Sequence, residues 1–321
     1  MIVPDIYFEE YWGVLNAEED GGTYCSYAYE DENGYVLHRF IKRPTSIIDG
    51  TFDILSPTGF SGPVILNVRK GREMDLIRGY DKDFQNYCDL NGIVAEYIRF
   101  SPWINNQQDF KDIYELKHHA CTIGIDLQNN FFDLEFTSQT RRVVRRAEKS
   151  GVQIEFDFNC QTITEFYKLY TDMFEKKMKG ESDNYDIFSE RYIRDLATQC
   201  KNHIFLINAL VDNRRISSQL CLHSDNYLHG YLCGSDPDFS KYNAHSLITY
   251  KACEWGKNNH KTAYHLGAAR TEGIYNYKMH FTRKGVYDFY VGYKIRSRDL
   301  YNQLIALKGK INDSYFPAYR G

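Results

Sequence analysis

The sequence predicts an α/β fold built from two copies of one unit, on three observations. At 321 residues the chain exceeds the usual size of a single hydrophobic core. Two hairpin patterns occur, Thr23 to Tyr29 with Tyr35 to Ile41 and His203 to Val211 with Ile216 to His223, and each is followed by a strand, a helix and another strand. The helix-to-strand joint after Cys88 also matches the joint after Cys253, with a small insertion. Chance similarity of so short a stretch is the alternative.

In chain order, a polar helix over Asp5 to Leu15 leads into the first hairpin, whose strands are separated by Asp-Glu-Asn-Gly. The stretch Phe52 to Pro63 reads as a turn-rich loop, too elaborate for a tight connection. A helix over Asp75 to Leu90 and strands over Ile93 to Phe100 and Thr122 to Leu127 follow. The basic helix Ser138 to Ser150 is stopped by Gly151 and marks the junction, dividing the chain into 1–150 and 151–321. A strand over Gln153 to Phe158 precedes helices Thr164 to Lys179 and Ser189 to Cys200. In the first of these, Phe166, Leu169, Tyr170 and Met173 share one face, as a helix packed on a sheet requires. After the second hairpin, which turns through Asp-Asn-Arg-Arg, come a strand through Gly230, a helix from Asn243 to Lys257, a strand from Thr262 to Leu266 and helical spacing from Ile274 to Phe281. No low-complexity linker separates the halves, so they should be fused.

Hydrophobic residues at 43% and charged residues at 26% are ordinary for a globular chain, while 27 Tyr and 20 Phe suit a wet cleft. The eight cysteines are scattered without a Cys-x-x-Cys pair and follow no signal peptide, so they read as reduced core thiols of a cytoplasmic protein. No apolar run approaches the roughly 20 residues of a membrane helix, so an integral membrane segment is not expected. A net charge of -4 argues against DNA and wholesale nucleic-acid binding. Charge is nonetheless uneven, with eleven acids and three basic residues in 1–60 and a dense basic run from Arg141 to Lys149. Neither His-Glu-x-x-His, zinc spacing, a Gly-x-Ser-x-Gly elbow, a Walker loop nor Gly-x-Gly-x-x-Gly occurs. Metal hydrolases, serine hydrolases and nucleotide dehydrogenases are therefore disfavoured, and no metal is expected.

Chemistry could sit in three places. The strand Ala263 to Leu266 ends in Gly267-Ala-Ala, and ligands of α/β sheets bind beyond strand ends. Arg270 and Glu272 stand at that mouth, and Lys278 lies one helical turn after Ile274, where it could face developing negative charge or simply be a solvated surface lysine. His265 reads either as a base or as a satisfied core histidine. The second place is the loop from Asp236 to Ser246, where Lys241, Asn243, Ala244 and Ser246 open a helix. Its Lys-x-x-Ala-x-Ser is similar to the coenzyme A pyrophosphate loop of GNAT acyltransferases, with small residues for both glycines; Asn243 as a plain helix cap is the alternative. The third is the loop with Ser56, Gly59 and Gly62. The stripe Arg141, Arg145 and Lys149 suits a diphosphate or polyanion, or a solvated face.

The ordered set Ser56-Pro-Thr-Gly-Phe-Ser-Gly62-Pro, Ile98-Arg99-Phe100-Ser101-Pro102-Trp103, Ile125-Asp-Leu, Arg141 to Gly151, Tyr264-His-Leu-Gly-Ala-Ala and Tyr277-Lys278-x-x-Phe281 resembles the FemABX-like branch of the GNAT superfamily. The resemblance runs over nearly the whole chain. It implies two tandem GNAT-like domains, each a mixed, mostly antiparallel sheet flanked by helices, with a cleft between them. It also implies transfer of an acyl or aminoacyl group to an amine of a cell-envelope precursor. The family's strand-end Leu-Gly-Gly-Gly is Leu-Gly-Ala-Ala here, whereas its Phe/Tyr-Lys-x-x-Phe is intact and gives Lys278 a role in stabilising transfer-state charge. The chain lacks sustained heptads for the coiled-coil arm common in members that use aminoacyl-tRNA, so tRNA is disfavoured as a partner and acyl-CoA is the expected co-substrate. The acceptor expected is a small amine or nucleotide-sugar-like molecule. It would meet Ser56, Gly62, Arg99, Trp103, Arg145, Tyr231, Arg270 and Tyr277, with Asp236, His265 and Glu272, in that order, as candidates to take the amine proton. A crossbridge ligase and a GNAT-like pair that binds without catalysis are the alternatives.

Overall fold

A computed structural model describes residues 2–178, 187–269, 271–312 and 314–321. The chain forms two compact units, Met1–Ala120 with Asp288–Gly321, and Cys121–Tyr287. The boundary expected at 150/151 falls inside the second unit. The basic helix, read as the end of the first half, belongs to that unit because its apolar face, Val144 and Ala147, packs into the second unit's core.

The first unit contains α1 (Glu10–Asn16), β1 (Thr23–Asp31), β2 (Gly34–Pro44), β3 (Phe52–Leu55), β4 (Val64–Val68), α2 (Glu73–Leu90) and β5 (Ile93–Arg99). The single helix expected over Asp5 to Leu15 is two pieces, because Glu9 is extended between a 3-10 turn capped by Asp5 and α1. The Asp31 carboxylate closes the first hairpin by accepting the N–H of Asn33 at 2.7 Å and of Gly34 at 3.2 Å. Beyond the hairpin, β2 pairs antiparallel with both β3 and β4, and β3 runs parallel to β5. The chain's end returns to this unit, bringing β12 (Val286–Ile295) against β5 and then α9 (Arg298–Lys308). On α2, Leu76, Ile77, Tyr80, Phe84 and Cys88 form one buried stripe against the sheet. Within that core, Glu96 and Arg296 are both fully buried and ion-paired, with the Tyr114 hydroxyl donating to Glu96 at 3.0 Å and Arg296 donating to Asp81 at 2.7 Å. Burial pushes Asp81 up, but Lys294 and Arg296 outweigh it and hold the carboxyl below its usual range.

In the second unit, β6 (Glu115–Asp126) enters from the first and leads to the short α3 (Phe131–Leu134), α4 (Ser138–Lys149), β7 (Gln153–Asp157), α5 (Ile163–Met178) and α6 (Glu190–Gln199). Then come β8 (Ile204–Val211), β9 (Arg214–His223), β10 (Tyr227–Ser235), α7 (Ala244–Asn258), β11 (Ala263–Ala268) and α8 (Glu272–Met279). Lys179, expected to end α5, lies outside the described residues. The sheet order is β6-β11-β10-β9-β8-β7, antiparallel except for the parallel pair β10 and β11. Asp212 and Asn213, both in the left-handed region at φ 50 and 61, make the tight turn of the second hairpin. The two units share one topology: an antiparallel hairpin, a third antiparallel strand, a helix, and a fourth strand parallel to the third. It is β1-β2-β3-α2-β5 in one and β8-β9-β10-α7-β11 in the other. The duplication expected from the sequence is therefore present in the fold. Five of the eight cysteines, Cys88, Cys160, Cys200, Cys221 and Cys253, are buried. Among the described residues no helix is long and apolar enough to cross a membrane.

Candidate functional site

The parallel strands β10 and β11 pair at only three positions, the last being His229 opposite His265. Beyond it β10 continues beside β9 to Ser235 and β11 continues beside β6 to Ala268, so the two neighbours part. A register shift marks the parting in each strand, between Gly230 and Leu232 and between His265 and Gly267. The extra residues, Tyr231 and Leu266, bend the strands away from regular pairing. A cavity of about 160 Å³ fills the opening, lined by these two residues, Gln219 of β9, His245 and Thr249 of α7, and Lys278 of α8. Part of its floor is an absent side chain: a Cβ on Gly230 would come within 2.8 Å of the Tyr264 hydroxyl and 3.3 Å of Gln219 Nε2.

Helix α8 begins at the Thr271 cap, whose hydroxyl accepts the Ile274 N–H at 3.3 Å. Near its other end the Lys278 ammonium donates to the Ala268 carbonyl at 2.8 Å, tying the helix to the end of β11 beside the cavity. Gly267 has φ +82, so the one glycine kept from the Leu-Gly-Gly-Gly pattern sits where a left-handed backbone requires it. Ala268 is an ordinary strand residue. Tyr277 also lines the cavity; the residue is 40% exposed and its hydroxyl lies 3.5 Å from Ser246 Oγ. Burial of that hydroxyl pushes the phenol up to about 12, which keeps it a proton donor at neutral pH. A second cavity, of about 130 Å³, shares Tyr277 and Phe281 with the first and is lined by Gln139 and Thr140 of α4 and by Asn243 and Ser246. Asn243 sits at φ +52 before Ala244, the first residue of the 15-residue α7, so first-turn N–H groups of a long helix border this second cavity. Lys241 is exposed in the preceding 3-10 turn, its ammonium 5.1 Å over the Tyr242 ring.

The other expected residues lie elsewhere. Asp236 caps the 3-10 turn, accepting the Asp238 N–H at 3.2 Å, and pairs with Arg214 at 2.8 Å; it lines neither cavity. His265 is buried with its Nδ1 3.3 Å from His229 Nδ1, on the face of β11 opposite Tyr264. Burial first, then His229 and Lys278, hold its pKa well below the ordinary value, so it is neutral. Glu272 is exposed in the first turn of α8, where it complements the helix dipole. Arg145 is exposed on α4, its guanidinium 5.3 Å over the Phe132 ring, and Arg270 lies outside the described residues.

In the first unit, Ser56 Oγ is buried and accepts the Arg99 N–H at 3.0 Å. The Arg99 guanidinium donates to the Ser56 carbonyl and lies 3.7 Å from Asp20, whose pKa burial raises against the opposing pull of Arg99 and Thr58. Gly62 has φ +89, and a Cβ there would meet Ile98 Cγ2 at 2.7 Å. Trp103 is half-buried in the turn after β5. Ser56, Gly62 and Arg99 thus hold the 56–63 loop against β5, and the arginine's charge is largely spent on that task. Sequence reasoning missed Gln219, Cys233, His245 and Thr249 of the cavity wall. The available signal was slight: Gln219 shares the period-two phase of Cys221 in the strand-like run from Ile216 to His223.

Residues 135–279, within the second unit, match the family model described as Acetyltransferase (GNAT) domain. The fold is similar to the crystal structure of FemX, with a TM-score of 0.72 at 12% identity over 94% of this chain and 95% of that one. It is also similar to L-PGS from Bacillus licheniformis, with a TM-score of 0.55 at 14% identity over 93% and 90% of the two chains. A conserved protein of unknown function from Bacteroides thetaiotaomicron gives a TM-score of 0.57 at 9% identity over 88% of each chain. Among curated proteins none matches this sequence.

Proposed function

We propose that this chain, whose residues 135–279 match the GNAT acetyltransferase family model and whose fold is similar to that of FemX, moves an acyl group from a thioester donor, acyl-CoA by preference, to the amine of an amino sugar or cell-envelope precursor. The observation that carries this reading is the parting of β10 and β11 around a cavity walled by Tyr277 and Lys278. A donor carbonyl in that opening would have the Lys278 cation beside it to offset oxyanion charge as the amine attacks. Tyr277 would offer its hydroxyl as a hydrogen-bond donor to the sulfur, which departs as the thiolate. Of the imidazoles, His245 lines the cavity and His265 does not, which makes His245 the preferred acceptor of the amine proton. Lys241, Asn243, Ala244 and Ser246, at the α7 N-terminus, would hold the phosphate-bearing end of the donor. Tyr231 and Arg145 are the acceptor-binding residues favoured in this unit. The attack is direct, so no acyl-enzyme forms.

A second reading, aminoacyl-tRNA as the donor, is favoured by the exposed basic residues Arg142, Arg145, Arg146 and Lys149 of α4. Incubation with acetyl-coenzyme A or charged tRNA and a panel of nucleotide amino sugars, followed by mass analysis, separates the readings. The first predicts an acylated amine from the thioester that survives ribonuclease. Ribonuclease-sensitive product supports the second reading. Binding of donor or acceptor without any mass gain would contradict both.

A further inference from the structure

Gln219 is 5% exposed and lines the cavity where β10 and β11 part. Its Nε2 donates to the Leu232 carbonyl at 2.9 Å and the Leu220 carbonyl at 3.3 Å. Both partners are backbone carbonyls, which only accept, so the amide orientation is fixed and both N–H bonds are used. Leu232 is the first β10 residue paired with β9 after the register shift, so this amide ties down one edge of the bulge that opens the cavity. Oε1 remains, an acceptor with no hydrogen bond among the described residues, on a side chain nine-tenths buried. An acceptor of this kind, accessible from the cavity, is free to take a donor from a ligand.

The surroundings set the size of that ligand. The cavity is about 160 Å³, close to the roughly 150 Å³ that holds one benzene ring, so its occupant has about six non-hydrogen atoms. Gly230 leaves the floor open, and Tyr264, which is 1% exposed, closes it behind. A longer acyl chain would have to extend out of this cavity.

Resting on the acyl-transfer reading, we infer that Gln219 is a specificity-determining residue: its Oε1 selects a short acyl group carrying a hydroxyl or amino donor over the plain alkyl acyl group of equal length. The free amide oxygen, the bulge that fixes it and the small closed floor act together. A hydroxyl and an ammonium both satisfy the acceptor, and matched donors tell them apart.

The test uses propionyl-, lactoyl- and alanyl-coenzyme A, which share a carbon skeleton, with octanoyl-coenzyme A as the long-chain probe and nucleotide amino sugars as acceptors. The intact protein should favour lactoyl or alanyl over propionyl by about 10- to 100-fold in kcat/KM, the scale of one buried hydrogen bond. Gln219→Leu should reduce that ratio to about one. Because this change also unties two carbonyls, Gly230→Ala provides an independent probe. Its methyl, crowding the Tyr264 hydroxyl and Gln219 Nε2 on the cavity floor, should lower use of all three matched donors relative to acetyl-coenzyme A while keeping the Gln219 amide. Equal use of propionyl, preference for octanoyl, or an unchanged lactoyl-to-propionyl ratio in folded Gln219→Leu would overturn the inference and leave the transferase reading standing. Failure of every thioester to yield product would overturn that reading and this inference with it.

Discussion

Lys278 reaches from the last turn of α8 to the Ala268 carbonyl, and its alkyl stem and ammonium form part of the cavity wall. In Lys278→Ala the expected loss is about 10²- to 10³-fold in kcat/KM, the cost of one oxyanion-stabilising group. Urea denaturation should show a loss of only about 1–2 kcal/mol, since one charge-assisted hydrogen bond is removed from a half-exposed side chain. A different residue-scale prediction concerns His38, which is fully buried in the first unit with its Nδ1 2.8 Å from the Tyr80 hydroxyl. Burial, then the nearby Arg296 charge, lower its pKa to about 3. The unfolded chain therefore takes up this proton first, and the histidine's contribution to stability is present above about pH 6.5 and is lost as pH falls towards 3. Between pH 6.5 and 5 wild type should lose about 2 kcal/mol more than His38→Gln in paired denaturation curves. Lys278 was legible because Tyr-Lys-x-x-Phe is contiguous in sequence. Gln219 and His245 were not, because what brings them together is a pair of register shifts and no local motif.

At the scale of elements, both hairpins and the helices α2, α4 and α7 followed from alternation, turn residues and caps to within three residues. The parting of β10 and β11 did not, since a bulge is decided by what neighbouring strands and helices demand. One such demand is at Gly234, where a Cβ would meet Tyr170 N at 2.5 Å and the Leu169 carbonyl carbon at 2.6 Å. Strand β10 therefore touches the backbone of α5, and neither side can yield by rotating a side chain. Gly234→Ala should cost about 3 kcal/mol, the upper part of the usual overpacking range, measured by urea denaturation. An unchanged midpoint would show that α5 is free to shift off the strand.

For the whole molecule, the repeated order of hairpin, strand, helix and parallel strand was readable from two short sequence similarities, whereas the division of the chain was not. The first unit takes back the chain's last segment: β12 pairs with β5, and Arg320 reaches the buried Asp53, which also pairs with Arg43 at 2.8 Å. Nothing in residues 1–150 announces that β5 needs a partner from 286–295. A fragment of residues 1–150 should accordingly fail to fold, giving poorly dispersed amide spectra and no cooperative melt, because β5 loses a neighbour and the fragment holds part of another core. Deleting residues 317–321 from the full chain should be milder, lowering thermal stability while leaving Asp53 its pairing with Arg43.

The central claim, that the opening between β10 and β11 is where an acyl group is passed to an amine, is met most directly by single-turnover transfer followed by intact-mass analysis of the acceptor. Wild type and Lys278→Ala would be compared at saturating donor, with thermal shift confirming that both bind it. The account predicts a gain of one acyl mass on the amine in wild type, slowed by at least about 10²-fold in the variant with donor binding retained. Equal transfer rates in the two proteins would contradict it.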